Sequence, residues 1–351
     1  MRNYISTERL DIYEQHLKIE AHQVLAAYHW NKALAGAMLP VMQCLEVTLR
    51  NAIDMAILSH PPTGANGLWL TDHNWIFSLP RYMGKKANPK LSKRYKMARK
   101  ATDPQDNHGV LLDQYGHRVI ARKVREETLV DQARDTIVSE GKIITPARVI
   151  AGMNFGFWTT LLSHKYEDKA SKSLLWPNLE TVVFPHLPEG YTMADIRQDF
   201  HRIRALRNRL SHHEALWKFH YDDPATGLPD YGQPVYGVQA SCSLLRKHYD
   251  DMLEMIGWMS PDRKANFLSH SAHLRFYALC SVDGLNSYIE PSKIKAKVTL
   301  SRGGKALNRI IKVLERHEFI RIVRGGQTVI TFGADSSTHS VIMVNDQLGR
   351  L

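Results

Sequence analysis

The feature that most constrains the fold of this 351-residue chain is the spacing of its apolar residues near the N-terminus. Val24, Leu25 and Tyr28, then Leu34, Met38, Val41, Met42, Leu45, Leu49 and Ile53, recur at intervals of three and four, the period that lines one face of an α-helix. Residues 6–58 are therefore expected to form two or three packed helices. They open with the capping-type sequence Ser6-Thr7-Glu8-Arg9 and close at Pro61-Pro62-Thr63-Gly64, because two prolines and a glycine cannot continue a helix.

Helical periodicity returns over residues 118–140 and again after Thr145-Pro146, where proline suits a first helical turn. The aromatic-rich stretch Gly152 to Leu162 is expected to be a core helix with close backbone packing at Gly156. A further helix should run from about Met193 to Trp217 behind the capping pair Thr192 and Asp195, and another from Ser241 to Met259. Residues 222–234 form a turn-rich insertion. Beyond Pro261 the character changes. Arg302 to His317 has a helical pattern, and Phe319–Arg324 and Gln327–Phe332 alternate around Gly325-Gly326 as a hairpin would. Helix plus basic hairpin resembles the wing of a winged-helix module. The expected fold class is mainly α, with a helical domain over residues 1–260 and a small C-terminal α+β appendage, helix plus β-hairpin, over 261–351.

The 46 Lys and Arg residues exceed the 35 Asp and Glu by 11, and there are 18 histidines, so the chain carries a positive field that favours phosphate-rich partners such as RNA. Arg81 to Lys100 holds nine Lys or Arg and no acidic residue, interleaved with Tyr82 and Tyr95. Within it Lys85, Lys86, Lys93, Arg94 and Lys96 are candidate RNA contacts, although a solvated helix or loop face has the same composition. Apolar residues make up 44% and charged ones 23% of the chain, which excludes the signature of disorder.

Cys44, Cys242 and Cys280 are odd in number and lack a C-x-x-C pair, arguing against a disulfide framework or zinc cluster and for a reducing compartment. The stretch Met1 to Leu10 has no apolar signal core, and no segment reaches the roughly 18 uninterrupted apolar residues of a membrane span. A cytosolic protein without a membrane partner is expected. His212-His213-Glu214 is a poor metal site, since adjacent helical residues point about 100° apart and no H-E-x-x-H pattern is present. Neither G-x-x-x-x-G-K-[ST] nor G-x-G-x-x-G occurs, so no metal, cofactor or nucleotide hydrolysis is expected.

The segment that carries chemistry is Arg202 to Trp217. At helical spacing Arg204, Arg207, Asn208, Ser211 and His212 share an arc of about 80° to 140°, while Ile203, Leu206 and Leu210 point elsewhere. A face with guanidinium, carboxamide, hydroxyl and imidazole suits a phosphodiester, because arginine binds the non-bridging oxygens and histidine moves a proton.

Arg207-Asn208 followed by His212 matches the Arg-polar-x-x-x-His pattern of HEPN-domain ribonucleases. Its context strengthens the match. Leu45-Glu46-Val47-Thr48-Leu49-Arg50-Asn51, Asn154 to Trp158 with Leu161-Leu162, Leu175-Trp176, Phe184-Pro185 and Leu206 to Glu214 occur in the order found in the Abi-like family of phage-resistance proteins. The resemblance covers roughly residues 4–260. It implies a HEPN-like helical bundle acting in abortive infection or a toxin-antitoxin system, with metal-independent RNA cleavage by 2′-hydroxyl attack. In that scheme His212 is the general base or acid, Arg207 stabilises the pentacovalent phosphate and Asn208 is a positioning donor, with Ser211 and Arg204 as supports. It also implies a homodimer, and an antitoxin or a phage-derived activator as partner. Glu46, Arg50 and Asn51 are supporting candidates, since Glu46 and Arg50 are four apart on one helix and can pair with each other or with the motif helix. Two other readings compete: Arg207, Asn208, Ser211 and His212 hold the helix bundle together by hydrogen bonds to neighbouring loops without turnover, or the protein is a non-catalytic helical sensor or nucleic-acid-binding regulator whose C-terminal hairpin binds DNA or RNA.

Overall fold

In a computed structural model, residues 5–62, 74–83, 95–112, 116, 119–121, 123–168, 174–290, 312, 319–324, 327–335 and 340–345 are described. The chain is mainly helical and divides into two compact units. One comprises residues 1–45, 205–257 and 261–351, the other residues 46–204 and 258–260.

The first unit opens with α1 (Thr7–Leu17) and the beginning of α2 (Val24–Ser59). The helical reading of residues 6–58 holds as two helices, and α2 runs through Pro40 without ending. Its stripe of fully buried residues, including Trp30, Leu34, Met38, Val41, Leu45, Leu49 and Ile53, offsets the roughly 3 kcal/mol that an interior proline costs. Among the described residues α2 is long and apolar enough, by length and composition, to cross a bilayer. The same apolarity is what a core helix requires, and Asn31, Glu46, Arg50 and Asp54 interrupt it. At the far end of the first unit lie α8 (Val238–Met259), α9 (Pro261–Leu268), α10 (Ala272–Leu279) and α11 (Val282–Ile289). Pro261 therefore starts a helix where the sequence suggested a change of character, because its fixed φ and missing N–H are harmless at the first position.

This later segment is tied to the N-terminal helices by specific bonds. Trp30 Nε1 donates to the Leu279 carbonyl at 2.8 Å, and Gln23 Nε2 donates to Glu290 Oε1 at 2.8 Å. Arg246 on α8 donates to the carbonyls of Cys280 and Tyr277 at 2.6 and 2.7 Å. At the start of α11 an added Cβ on Gly284 would sit 2.2 Å from the Leu279 carbonyl oxygen, so only glycine fits. All three cysteines are buried and none forms a disulfide, with Cys280 Sγ 3.5 Å from the Cys242 carbonyl.

The turn-rich insertion folds as a hairpin of β1 (His220–Asp222) and β2 (Pro229–Pro234), paired antiparallel with His220 opposite Pro234. The C-terminal hairpin expected from the alternation is present as β3 (Phe319–Arg324) and β4 (Gln327–Asp335), with Arg324 opposite Gln327. A third antiparallel strand, β5 (Ser340–Asn345), completes the sheet in the order β3-β4-β5. The helix expected over Arg302–His317 lies outside the described residues apart from residue 312.

The second unit contains a 3₁₀ segment (Trp75–Tyr82), α3 (Arg125–Ser139), α4 (Pro146–Gly152), α5 (Phe155–Leu161), α6 (Glu180–Val183) and the first part of α7 (Met193–Ser211). Thr145 Oγ1 caps α4 by accepting the Arg148 N–H at 3.3 Å. The aromatic-rich stretch is not one helix. Asn154 Oδ1 accepts the Phe157 N–H at 3.0 Å and starts a new helix there, because a side-chain cap satisfies an orphan donor that an interior asparagine would leave to the backbone. Edge and tilted aromatic contacts fill this core: Trp75 on Trp158, Phe155 on Phe200, and Phe184 on both Phe200 and Trp176.

Arg197 Nη1 pairs with Glu167 Oε2 at 2.7 Å, with side-chain exposures of only 15% and 9%. Glu167 Oε2 also lies 3.1 Å from Nδ1 of the exposed His164 ring, so loss of Arg197 leaves the carboxylate only partly compensated. Arg197→Ala is expected to lower the unfolding free energy by about 1–3 kcal/mol in urea titrations. In the first unit, burial together with the nearby Lys218 holds the His16 and His220 imidazoles below their ordinary value, and burial does the same for His273. The unfolded chain therefore binds more protons than the native one below the ordinary histidine value, so stability present above about pH 6.5 falls as the solution is acidified. Urea midpoints should decline between pH 7 and pH 5, and His16→Gln should flatten that decline.

Candidate functional site at the end of helix α7

Helix α7 is started by the pair read from the sequence. Asp195 Oδ2 accepts from the Thr192 N–H at 2.9 Å and its hydroxyl at 2.7 Å, and Thr192 Oγ1 accepts the Ala194 N–H at 3.2 Å. The core stripe is also where the periodicity put it, with Ile203 and Leu206 buried and Leu210 half-buried. The helix stops earlier than expected, at Ser211 rather than Trp217. The stop is a Schellman reversal: the Glu214 N–H reaches back to the Arg209 carbonyl at 2.9 Å and the His213 N–H to the Leu210 carbonyl at 3.2 Å. His213 takes the left-handed conformation this requires, at φ 55°.

After the reversal the chain is held by two residues that the motif does not include. Asn31, buried on α2, accepts the Leu216 N–H at 3.0 Å on its Oδ1 and donates from Nδ2 to the Glu214 carbonyl at 3.1 Å. Arg209 donates to the Lys218 carbonyl and lies over the Phe219 ring, 5.4 Å from its centroid. Burial pulls the Arg209 guanidinium below its ordinary value, though arginine stays charged at neutral pH. Trp217, fully buried, packs edge-on against Tyr13 with ring centroids 5.0 Å apart.

This bracing leaves the polar face of the last turn open. Arg207 is half-buried, and Asn208, Ser211 and His212 are exposed. Ser211 Oγ donates to the Arg207 carbonyl at 3.1 Å, and the His212 N–H donates to the Asn208 carbonyl at 3.0 Å. Arg9 on α1 donates to the His212 carbonyl at 3.4 Å, adding a guanidinium that the sequence pattern did not flag. A guanidinium, a carboxamide, a hydroxyl and an imidazole thus share one exposed helical turn, with a second arginine beside it.

The remaining candidates lie elsewhere. Arg204, one turn earlier on α7, packs on α5 within the second unit. Its Nη1 is 3.4 Å from Thr160 Oγ1, and an added Cβ on Gly156 would stand 3.5 Å from its guanidinium. The closest neighbours of Gly156 are therefore side chains, the Asn154 carboxamide oxygen at 3.1 Å from such a Cβ and then the Arg204 guanidinium, rather than the backbone expected. Burial, and then the charge of Arg125, hold Arg204 below its ordinary value. Glu46, Arg50 and Asn51 also belong to the second unit; Glu46 and Arg50 are half-buried, Asn51 is exposed, and Arg50 Nε donates to Asn51 Oδ1 at 3.2 Å. Of the basic run, Lys96 is exposed, with its backbone bonded to Val119 and Leu111. Lys85, Lys86, Lys93 and Arg94 lie outside the described residues. Tyr82 is buried and therefore presents no ring to a base, whereas Tyr95 is half-buried. A pocket in the second unit, lined by residues including Leu129, Ala133, Met153 and Phe157, has no charged side chain in its wall. Among the described residues no group of three His, Cys, Asp or Glu side chains is arranged to hold a metal ion.

A mainly helical chain with this exposed Arg-Asn-Ser-His turn is matched over residues 1–218 by the Abi-like protein family, and it belongs to that family. Membership points to a role in abortive infection, as a phage-defence protein. The match ends directly after Trp217, short of residue 260, to which the order of sequence motifs extended. No curated protein and no solved structure matches the chain.

Because Asn31 alone satisfies both a donor and an acceptor of the returning strand, its loss leaves two part-buried backbone groups unpaired. Asn31→Ala is expected to cost about 2–4 kcal/mol of stability, measured by chemical denaturation. Asn31→Asp should recover only part of that loss, since a carboxylate can accept from Leu216 but cannot donate to Glu214.

Proposed function

We propose that the protein is a metal-independent endoribonuclease of an abortive-infection or toxin-antitoxin system. The observation that carries this reading is the placement of Arg207, Asn208, Ser211 and His212 on one exposed turn whose backbone is fixed from behind by Asn31 and Arg209. Membership of the Abi-like family and the net charge of +11 support it.

In this mechanism the ribose 2′-oxygen attacks the adjacent phosphorus, the bond to the 5′-oxygen breaks, and the products carry a 2′,3′-cyclic phosphate and a 5′-hydroxyl. His212 takes the 2′-hydroxyl proton or delivers one to the departing 5′-oxygen. Arg207 neutralises the charge that builds on the non-bridging oxygens, and Asn208 donates a hydrogen bond that orients the phosphate. One imidazole performs one of the two proton transfers, so a homodimer with two motif turns facing a shared cleft supplies both. In the cell the activity would be restrained by an antitoxin or released by a phage-derived activator.

Purified protein incubated with total RNA in EDTA should yield fragments with cyclic-phosphate ends. His212→Ala and Arg207→Ala should each slow cleavage by at least about 100-fold. Fragments ending in a 3′-hydroxyl, or undiminished cutting by His212→Ala, would refute the assignment. Phage resistance that survives both substitutions would instead favour the sensor reading.

A further inference from the structure

The first unit carries a second feature outside the motif turn, on the β1–β2 hairpin and the end of α1. Tyr231 and Tyr236 are 79% and 50% exposed, unusual for large aromatic rings on a surface free of other duties. Each ring lies against a histidine: Tyr236 is 5.3 Å from the His16 ring and Tyr231 is 5.0 Å from the His220 ring. The His16 Nδ1 stands 3.5 Å from the carbonyl of Val235, next to Tyr236, and the Val235 N–H donates to the carbonyl of Phe219, next to His220, at 3.0 Å, so both ring pairs sit on one stretch of the hairpin. Lys18 Nζ stands 4.5 Å from the centroid of the Tyr236 ring. The hairpin thus presents two exposed tyrosines, each against a histidine, with Lys18 over one of them. Asp223 and Asp230 of the same hairpin direct their carboxylates into their own turns, accepting from Ala225 N–H, Gly232 N–H and the Gln233 amide at 2.8, 2.8 and 3.0 Å.

Helix α1 joins these rings to the motif turn. Arg9 near its start touches His212, and His16, seven residues on and within about 20° of the same face, lies against Tyr236. The rise between them is about 10 Å along the helix, which a few unstacked nucleotides span. We infer that the Tyr231/Tyr236 pair is a stacking platform for the bases of single-stranded RNA, holding the strand whose phosphate enters the turn at His212. The chemistry is specific to an unpaired strand: a ring can stack only on a base whose face is free, while Lys18 beside Tyr236 meets a neighbouring phosphate. The position of the strand relative to His212 rests on the nuclease reading; the platform itself rests only on the hairpin.

The test is binding, measured apart from cleavage. Anisotropy of a labelled single-stranded RNA of about 12 nucleotides, and of its duplex, is titrated with His212→Ala protein and with that protein carrying Tyr231→Ala, Tyr236→Ala or the matching phenylalanines. Each alanine should weaken single-strand binding about tenfold, each phenylalanine should restore it, and the duplex should bind more weakly. The exposure of both rings makes loss of folding an improbable source of the effect, and circular dichroism of each variant checks it. Alanine variants that bind as tightly as their parent, or no binding of RNA at all, would overturn the platform. Cleavage by the native chain together with tyrosine-independent binding removes the platform and leaves the nuclease; tyrosine-dependent binding without cleavage does the reverse.

Discussion

The two hydrogen bonds of Asn31 fix the part of the molecule that matters most to its chemistry. A helix that ended without them would fray, because the chain after a C-terminal reversal has no periodic bonds to hold it. With the Asn31 amide bound to Glu214 and Leu216, the returning strand runs straight into Trp217 and Phe219, whose buried rings anchor it against Tyr13 and under Arg209. The last turn of α7 is consequently clamped from its inner side only. Its outer side, with Asn208, Ser211 and His212, is left exposed on a rigid support, the condition for side chains that must be oriented without being used up in packing.

Arginines along this segment divide the work by position. All three are half-buried: Arg209 lies over Phe219 and donates to the Lys218 carbonyl, Arg204 rests on the α5 surface beside Gly156 and Thr160, and Arg207 stands among the motif residues. Sequence spacing placed Arg204 and Arg207 on one arc, and the helix honours that geometry. What spacing could not supply is the neighbour: Thr160 on α5, whose hydroxyl stands 3.4 Å from Arg204 Nη1.

The helical class, the Thr192–Asp195 cap, the Thr145 cap and the buried stripes of α2 and α7 were legible because each depends on residues within one or two turns of each other. The errors share the opposite character. The halt of α7 at Ser211 depends on His213 accepting a left-handed conformation that glycine normally supplies, and nothing in Ser211-His212-His213-Glu214 announces it. The break at Asn154 was visible only as an asparagine inside an apolar run, a residue that favours caps over helix interiors. β5 reads Ser340-Val-Ile-Met-Val-Asn345, an apolar run without alternation, which periodicity alone cannot separate from a buried helix. Arg9 and Asn31 came from segments some two hundred residues before the motif, although a lone asparagine inside the buried stripe of α2 was a signal that some distant backbone needed it.

The location of the motif poses an electrostatic problem that the structure answers. The C-terminal end of a helix carries partial negative charge from carbonyls without intrahelical partners, and that end repels a phosphate. Here three of them are engaged. Arg209 and Leu210 accept from the reversal, and the carbonyl of His212 faces the guanidinium of Arg9. Each such bond draws an oxygen's lone pair toward a donor and reduces the field it projects outward, and the Arg9 bond also brings a full positive charge to the same point. Arg9 thereby acts on the negative pole of α7 without any contact with substrate: its charge offsets the helix-end carbonyl dipoles beside the motif turn.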